Sequence, residues 1–129
     1  MGPLGQFEMK KKTIRRTLVK KLDEVFSKVV RQRTGELCPL CGQRPVQCAF
    51  HFISRNRKSV RWDFRNVIGS CHGCNMEERN DHSRFTQWYI DNYGERAYLE
   101  LLRDSAQPRK WELYELEEMI ERFKGELDG

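Results

Sequence analysis

Apolar residues recur at steps of three and four early in the chain: Ile14, Leu18, Leu22, Val25, Phe26, Val29 and Val30. That period predicts an amphipathic helix over Lys12 to Arg33, ended by Thr34-Gly35 with Gly35 as the C-cap. The period then changes. Val46, Cys48, Phe50 and Phe52 alternate, so Pro45 to Ile53 is expected as a strand. Phe64 and Val67 let Trp62 to Ile68 return as a second strand, after a polar, basic loop over Arg55 to Arg61. Helical signals resume with a short helix around Asn75 to Arg79. Asn80-Asp81-His82-Ser83 offers caps for another helix over Arg84 to Tyr93, which Gly94 stops. Further helices are expected over Glu95 to Arg103 and Trp111 to Phe123, with Gln107-Pro108 as the break between them. Trp88, Tyr89, Tyr93 and Trp111 sit at helical spacing or helix starts and read as packing residues.

Charge sharpens this α+β outline. Of 129 residues, 33% are charged and 38% hydrophobic, which is polar for a globular domain and invites support from a metal or a second copy. The formal charge of +5 is uneven. Residues 1–36 carry ten Lys/Arg against four Asp/Glu, whereas residues 93–129 carry six against ten. A basic front suggests a polyanion, most commonly nucleic acid. Lys11, Arg15, Arg16, Lys20, Lys21 and Lys28 on the first helix are either a solvated face or phosphate contacts. No run of eighteen apolar residues exists, so no membrane span or membrane partner is expected. Met1 to Phe7 reads as an expression-tag remnant.

The most specific signal is cysteine spacing. Cys38-Pro39-Leu40-Cys41 and Cys71-His72-Gly73-Cys74 are two C-x-x-C knuckles, a spacing that lets four sulfurs reach one tetrahedral ion. A structural zinc on Cys38, Cys41, Cys71 and Cys74 is therefore expected. The fifth cysteine, Cys48, reads as a small buried hydrophobe. An odd cysteine count with this spacing suits metal thiolates in a reducing cytosol better than disulfides. Between the knuckles stand His51 and Asn66. Arg55, Arg57, Lys58, Arg61 and Arg65 crowd the same stretch with Trp62, a set suited to gripping phosphates. Trp62 is read as a core anchor of the hairpin, with stacking on an unpaired base as the alternative.

In order, the middle of the chain is knuckle, strand with His51, basic loop, strand with Asn66, knuckle, and a helix beginning at Asn75. This resembles the zinc-stapled ββα-metal, or HNH, nuclease motif. The resemblance implies a treble-clef-like ββα-metal core flanked by helices. It makes His51 the general base, Asn66 the brace of the interstrand loop, and Asn75 a ligand of a catalytic Mg²⁺ or Mn²⁺. A histidine suits proton abstraction near neutrality, and a hard cation stabilises charge on a phosphate. His82 is a second-rank ligand of that ion and Asp81 a third; for both, capping or surface roles stand beside this reading. Many HNH nucleases carry Asp or His before the base, where this chain has Phe50.

A closer resemblance runs from about Glu36 to Phe123. Ala49-Phe50-His51-Phe52-Ile53-Ser54-Arg55, Arg61 through Asn66, Cys71-x-x-Cys74-Asn75, Tyr93-Gly94 and Pro108-Arg109-Lys110 look like segments of the phage NinG/Rap recombination nucleases. That implies a phage-encoded, structure-specific DNA endonuclease in the host cytoplasm. Its substrates would be Holliday junctions, D-loops or partly single-stranded DNA, and Arg55 would be a phosphate clamp. A homodimer is expected because resolving a junction needs two cuts. The alternatives are a non-catalytic zinc-knuckle DNA-binding module and a zinc-stapled adaptor using the acidic tail helix. The expected organisation is residues 1–9 as a disordered tag remnant, 10–35 as the basic helix, 36–94 as the zinc-bound nuclease core, and 95–129 as C-terminal helices.

Overall fold

The computed structural model describes residues 3–78 and 81–128. The first helix, α1 (Pro3–Thr34), starts earlier than its apolar period, so residues 3–9 are helical rather than disordered. Met1 and Gly2 lie outside the described residues. Leu22, Val25, Phe26, Val29 and Val30 are buried as the period requires, but Ile14 is exposed. Arg31 and Arg33 occupy the last turn, where cations oppose the negative end of the helix dipole. Gly35 then takes φ +102° and donates its N–H to the Arg31 carbonyl at 3.2 Å, a left-handed exit that glycine adopts at little steric cost.

Two compact units divide the chain: Met1–Phe26 with Trp111–Gly129, and Ser27–Lys110. These limits differ from the expected ones at 35/36 and 94/95. In the first unit, α1 meets the last helix, α5 (Leu113–Asp128). Phe26 and Phe123 pack with ring centroids 5.2 Å apart, and the Arg15 guanidinium donates to the Trp111 carbonyl at 2.6 Å. Leu116, Met119, Ile120 and Phe123 line the buried face of α5.

The second unit holds β1 (Cys48–His51), β2 (Val67–Ser70), α2 (His72–Glu77), α3 (Ser83–Tyr93) and α4 (Glu95–Ser105). The strands form an antiparallel pair in which Cys48 faces Ser70 and His51 faces Val67. Both strands are shorter than expected, and β2 starts five residues later than predicted. The cause is local. The Asp63 carboxylate accepts the Arg65 N–H at 2.9 Å and caps a 3-10 turn over Phe64–Asn66, which takes those residues out of the ladder. Phe50 and Phe52 anchor the core. Phe50 stacks on Phe85 at 3.8 Å, and Phe52 meets Tyr89 edge-on at 4.8 Å. Burying each such ring contributes roughly 1.5–3 kcal/mol. Trp62, only 8% exposed, is a core residue as read, which removes it as a stacking platform.

The helix caps depart from expectation. Cys71, not a residue near Asn75, opens α2. His82 is the N-cap residue of α3 but makes no side-chain cap bond. The buried Glu78 supplies it instead, its carboxylate accepting the Arg84 and Phe85 N–H groups at 3.1 and 3.4 Å. Asp81 accepts the Ser83 N–H at 3.0 Å, the capping role weighed for it. Arg79 and Asn80, assigned to a helix end and a cap, lie outside the described residues.

Gly69 in β2 marks a close approach. Its N–H donates to Thr34 Oγ1 at 2.8 Å, and a Cβ there would stand 2.7 Å from Val46 Cγ1 and 2.9 Å from Thr34 Oγ1. Gly69→Ala is expected to destabilise the chain by about 1–3 kcal/mol through overpacking. Gly125→Ala in α5, where nothing lies within 4 Å of the added atom, is expected to stabilise, by about 0.5–1 kcal/mol. Urea unfolding of the two variants, each against the parent, checks the opposite signs.

Candidate functional site

The two knuckles bring four sulfurs to one point. Sγ atoms of Cys38, Cys41, Cys71 and Cys74 all lie within 4.8 Å of one another, with Cys41 and Cys71 at 3.9 Å. Sulfurs on a tetrahedron with ~2.3 Å metal bonds stand ~3.8 Å apart, so the group fits zinc. Local backbone builds each turn. Cys38 N–H donates to the Arg44 carbonyl at 2.8 Å and Gly42 N–H to the Cys38 carbonyl at 2.7 Å, with Gly42 at φ +66°. In the second knuckle, Cys71 Sγ accepts the Cys74 N–H at 3.3 Å, and Gln47 Oε1 accepts the His72 N–H at 3.1 Å.

The sulfurs are electrostatically unequal. The backbone N–H groups of Arg44 and then Gln43 hold the Cys41 thiol down at about 6, whereas burial pushes the Cys74 thiol up. The Arg44 guanidinium, bonded to Cys41, lies over Gly73, where any Cβ would collide with it. The missing side chain at Gly73 is what lets a cation cover the knuckle. Cys48 stands outside the group and is half-buried rather than buried. Its sulfur sits 3.4 Å from the Ser70 carbonyl and accepts the Asn75 amide at 3.2 Å.

His51 ends β1. Its Nε2 lies 3.0 Å from the Arg61 carbonyl, which can only accept, so Nε2 is the donor in this bond. In the neutral tautomer that such a bond selects, Nδ1 is the lone-pair nitrogen. Asn66 is fully buried. Its Oδ1 accepts the Ile53 N–H at 2.8 Å, and its Nδ2 donates to the Ile53 and Val60 carbonyls at 3.0 and 3.1 Å. Three bonds from one side chain thus tie the ends of the interstrand loop together.

Asn75 sits on α2, its amide engaged by Cys48 and its carboxamide oxygen at the other end. The His82 ring packs edge-on against Phe50 at 5.1 Å. Alternation along β1 turns Cys48 and Phe50 to one face and His51 to the other. Asn75 and His82 therefore lie against the face opposite His51, a difference from the expected convergence. Phe50 is buried against Phe85, Glu78 and Asp81 cap α3, and the cysteines form the one group of three or more His, Cys, Asp or Glu among the described residues that could hold a metal ion. These donors do not make a cage for Mg²⁺ or Mn²⁺ by themselves.

The basic stretch divides. Arg55, Arg57 and Lys58 are exposed. Arg57 and Lys58 line a cleft of 340 Å³ whose far wall runs from Ser105 to Arg109. Arg109 thus joins the loop cations, a neighbour that only the fold reveals. Arg61 is half-buried, its guanidinium 5.2 Å from the Trp62 ring. Arg65, expected among phosphate contacts, is instead clamped by Asp63 at 2.6 Å and Asp104 at 2.9 Å. Asp63 and then Asp104 raise its pKa. Asp104 also accepts the Ser59 hydroxyl at its backbone carbonyl, 2.8 Å away, which fastens the loop to α4. No helix among the described residues is long and apolar enough to cross a membrane.

A family model described as "Bacteriophage Lambda NinG protein" matches residues 6–128. No curated protein and no solved structure matches this chain.

The thiol geometry generates a direct test. Protein purified with zinc is expected to carry one ion per chain by elemental analysis, and Cys48→Ser to retain it. Cys71→Ser is expected to lose it. Chelation is expected to lower the melting temperature of the parent and of Cys48→Ser alike.

Proposed function

The chain belongs to the bacteriophage lambda NinG family, and from that premise we propose that it is a metal-dependent, structure-specific DNA endonuclease with a ββα-metal core, acting on branched recombination intermediates such as Holliday junctions and D-loops. The observation that carries this reading is the His51–Arg61 bond. A carbonyl that fixes the proton on Nε2 leaves Nδ1 as the base. In the proposed step a water gives its proton to Nδ1, its oxygen bonds phosphorus, and the bond from phosphorus to a sugar oxygen breaks, that oxygen leaving with the electron pair and taking a proton from solvent. Asn66 holds the loop that carries the Arg61 carbonyl, so it positions the base without touching substrate. Arg57, Lys58 and Arg109 grip backbone phosphates along their cleft, with Arg55 beside them. A hard cation, when bound, supplies charge stabilisation at the phosphate. In this reading Mg²⁺ would keep much of its water, take substrate oxygens and meet the Asn75 oxygen on the side of the phosphate away from His51.

A second reading has its own observation. Phe50 is stacked on Phe85 where many relatives of the motif carry a ligand, which favours a zinc-knuckle module that binds DNA without cutting it.

A synthetic four-way junction with Mg²⁺ or Mn²⁺ separates the two. His51→Ala is expected to lose at least about 10²-fold in cleavage rate while binding the junction normally. Wild-type cutting by the variant would remove His51 as base; tight, salt-sensitive binding by a parent that never cuts would favour the module. In salt titrations Arg57→Gln is expected to reduce the slope of log affinity against log salt by about 1. Arg65→Gln is expected to leave that slope unchanged, because its charge already faces two carboxylates.

A further inference from the structure

A second recess in the Ser27–Lys110 unit has a different character from the phosphate cleft. It measures 380 Å³, within the usual ~300–1,000 Å³ of small-ligand sites. Val30, Arg33, Pro39, Phe64, Trp88 and Tyr93 form much of its wall, and no acidic side chain lines it. Three of these are aromatic. The Arg33 guanidinium lies 3.6 Å from the centroid of the Phe64 ring, so its position is set by the ring before any ligand arrives. Tyr93, at the last turn of α3, is 57% exposed, yet its ring is held edge-on by Trp88 at 5.6 Å and by Tyr89 at 4.9 Å. Trp88 in turn stacks parallel to Phe52 at 6.1 Å, interplanar angle 8°. Gly94 follows with φ +94° and turns the chain out of the helix directly after Tyr93.

An exposed tyrosine on aromatic supports is a platform whose orientation is already fixed. With a cation at the same recess, its chemistry suits a flat, π-faced group attached to an anion. We propose that this recess takes the base of an unpaired nucleotide, stacked on Tyr93 and meeting Trp88 edge-on, with Arg33 meeting the adjoining phosphate. Charge supports this occupant over an apolar peptide: Arg31 and Arg33 form the basic last turn of α1, and residues 27–36 carry three Lys/Arg against one Asp/Glu. A paired base cannot enter, because its faces are covered by neighbours in the duplex, whereas an unpaired base pays little to leave the stack. The inference rests on the DNA reading above and gives it a source of structure preference: the protein would register single-stranded character at a branch.

The test uses the full-length, zinc-loaded protein without added divalent cation, so that binding is read apart from cleavage. Affinities are compared at one salt concentration for a duplex and for the same duplex carrying a short unpaired flap with 2-aminopurine in it. The parent is expected to prefer the flapped DNA and to change the 2-aminopurine emission on binding. Tyr93→Ala is expected to weaken flap binding about tenfold, the size of one lost base–aromatic stack, and to leave duplex binding within about twofold. Tyr93→Phe is expected to behave as the parent. Equal loss on both DNAs, no loss on either, or unchanged emission with the parent would overturn the proposal. So would a change of oligomeric state in Tyr93→Ala, since the recess would then hold a second copy. A parent that binds both DNAs equally yet cuts junctions overturns the recess and spares the nuclease. One that prefers the flap but never cuts supports the recess and removes the nuclease.

Discussion

Four thiols converging within 4.8 Å are the constraint on which the middle of this protein depends. The sulfurs come from a loop after α1, from the exit of β2, and from the first turn of α2. A two-stranded sheet of four-residue strands is marginal by itself in water. Pinning its flanks to one metal fixes the register of the pair and the start of the helix together, and metal affinity becomes folding free energy.

The interstrand loop is held by different means. It carries many charges, and beyond Val60 and Trp62 it has little apolar surface to pack. Asn66 ties its ends with three hydrogen bonds, Asp63 and Asp104 clamp Arg65, and Ser59 reaches the Asp104 carbonyl. The polar wiring leaves Arg55, Arg57 and Lys58 exposed beside an ordered loop. A loop held in this way presents its cations with no further cost of ordering its backbone.

What could be read from the sequence was what is local. C-x-x-C spacing predicts the thiol group because each turn is built within four residues, and the helical period predicts α1 and α5 through Leu22, Phe26, Leu116 and Phe123. Misreadings arose where a side chain acts over distance. Asp63 caps a 3-10 turn and shortens β2, Glu78 caps α3 from beyond the expected cap residues, and Arg65 finds Asp104 across thirty-nine positions. Strand alternation correctly buried Phe50, yet the same alternation sets His51 on the other face from Asn75, which the order of motifs could not reveal. Tyr93 was read as packing by its spacing. Its position at the end of α3 leaves it largely open to solvent.

Arg44 has a consequence beyond the knuckle it covers. Four thiolates outweigh one divalent ion, so the cysteine group, when filled, would carry net negative charge within a chain of formal charge +5. A guanidinium laid over Gly73 offsets part of that excess where it arises. Arg44→Glu would remove that offset while leaving all four sulfurs in place, so the charge of the knuckle and the geometry of its thiols are separable properties that meet at one arginine.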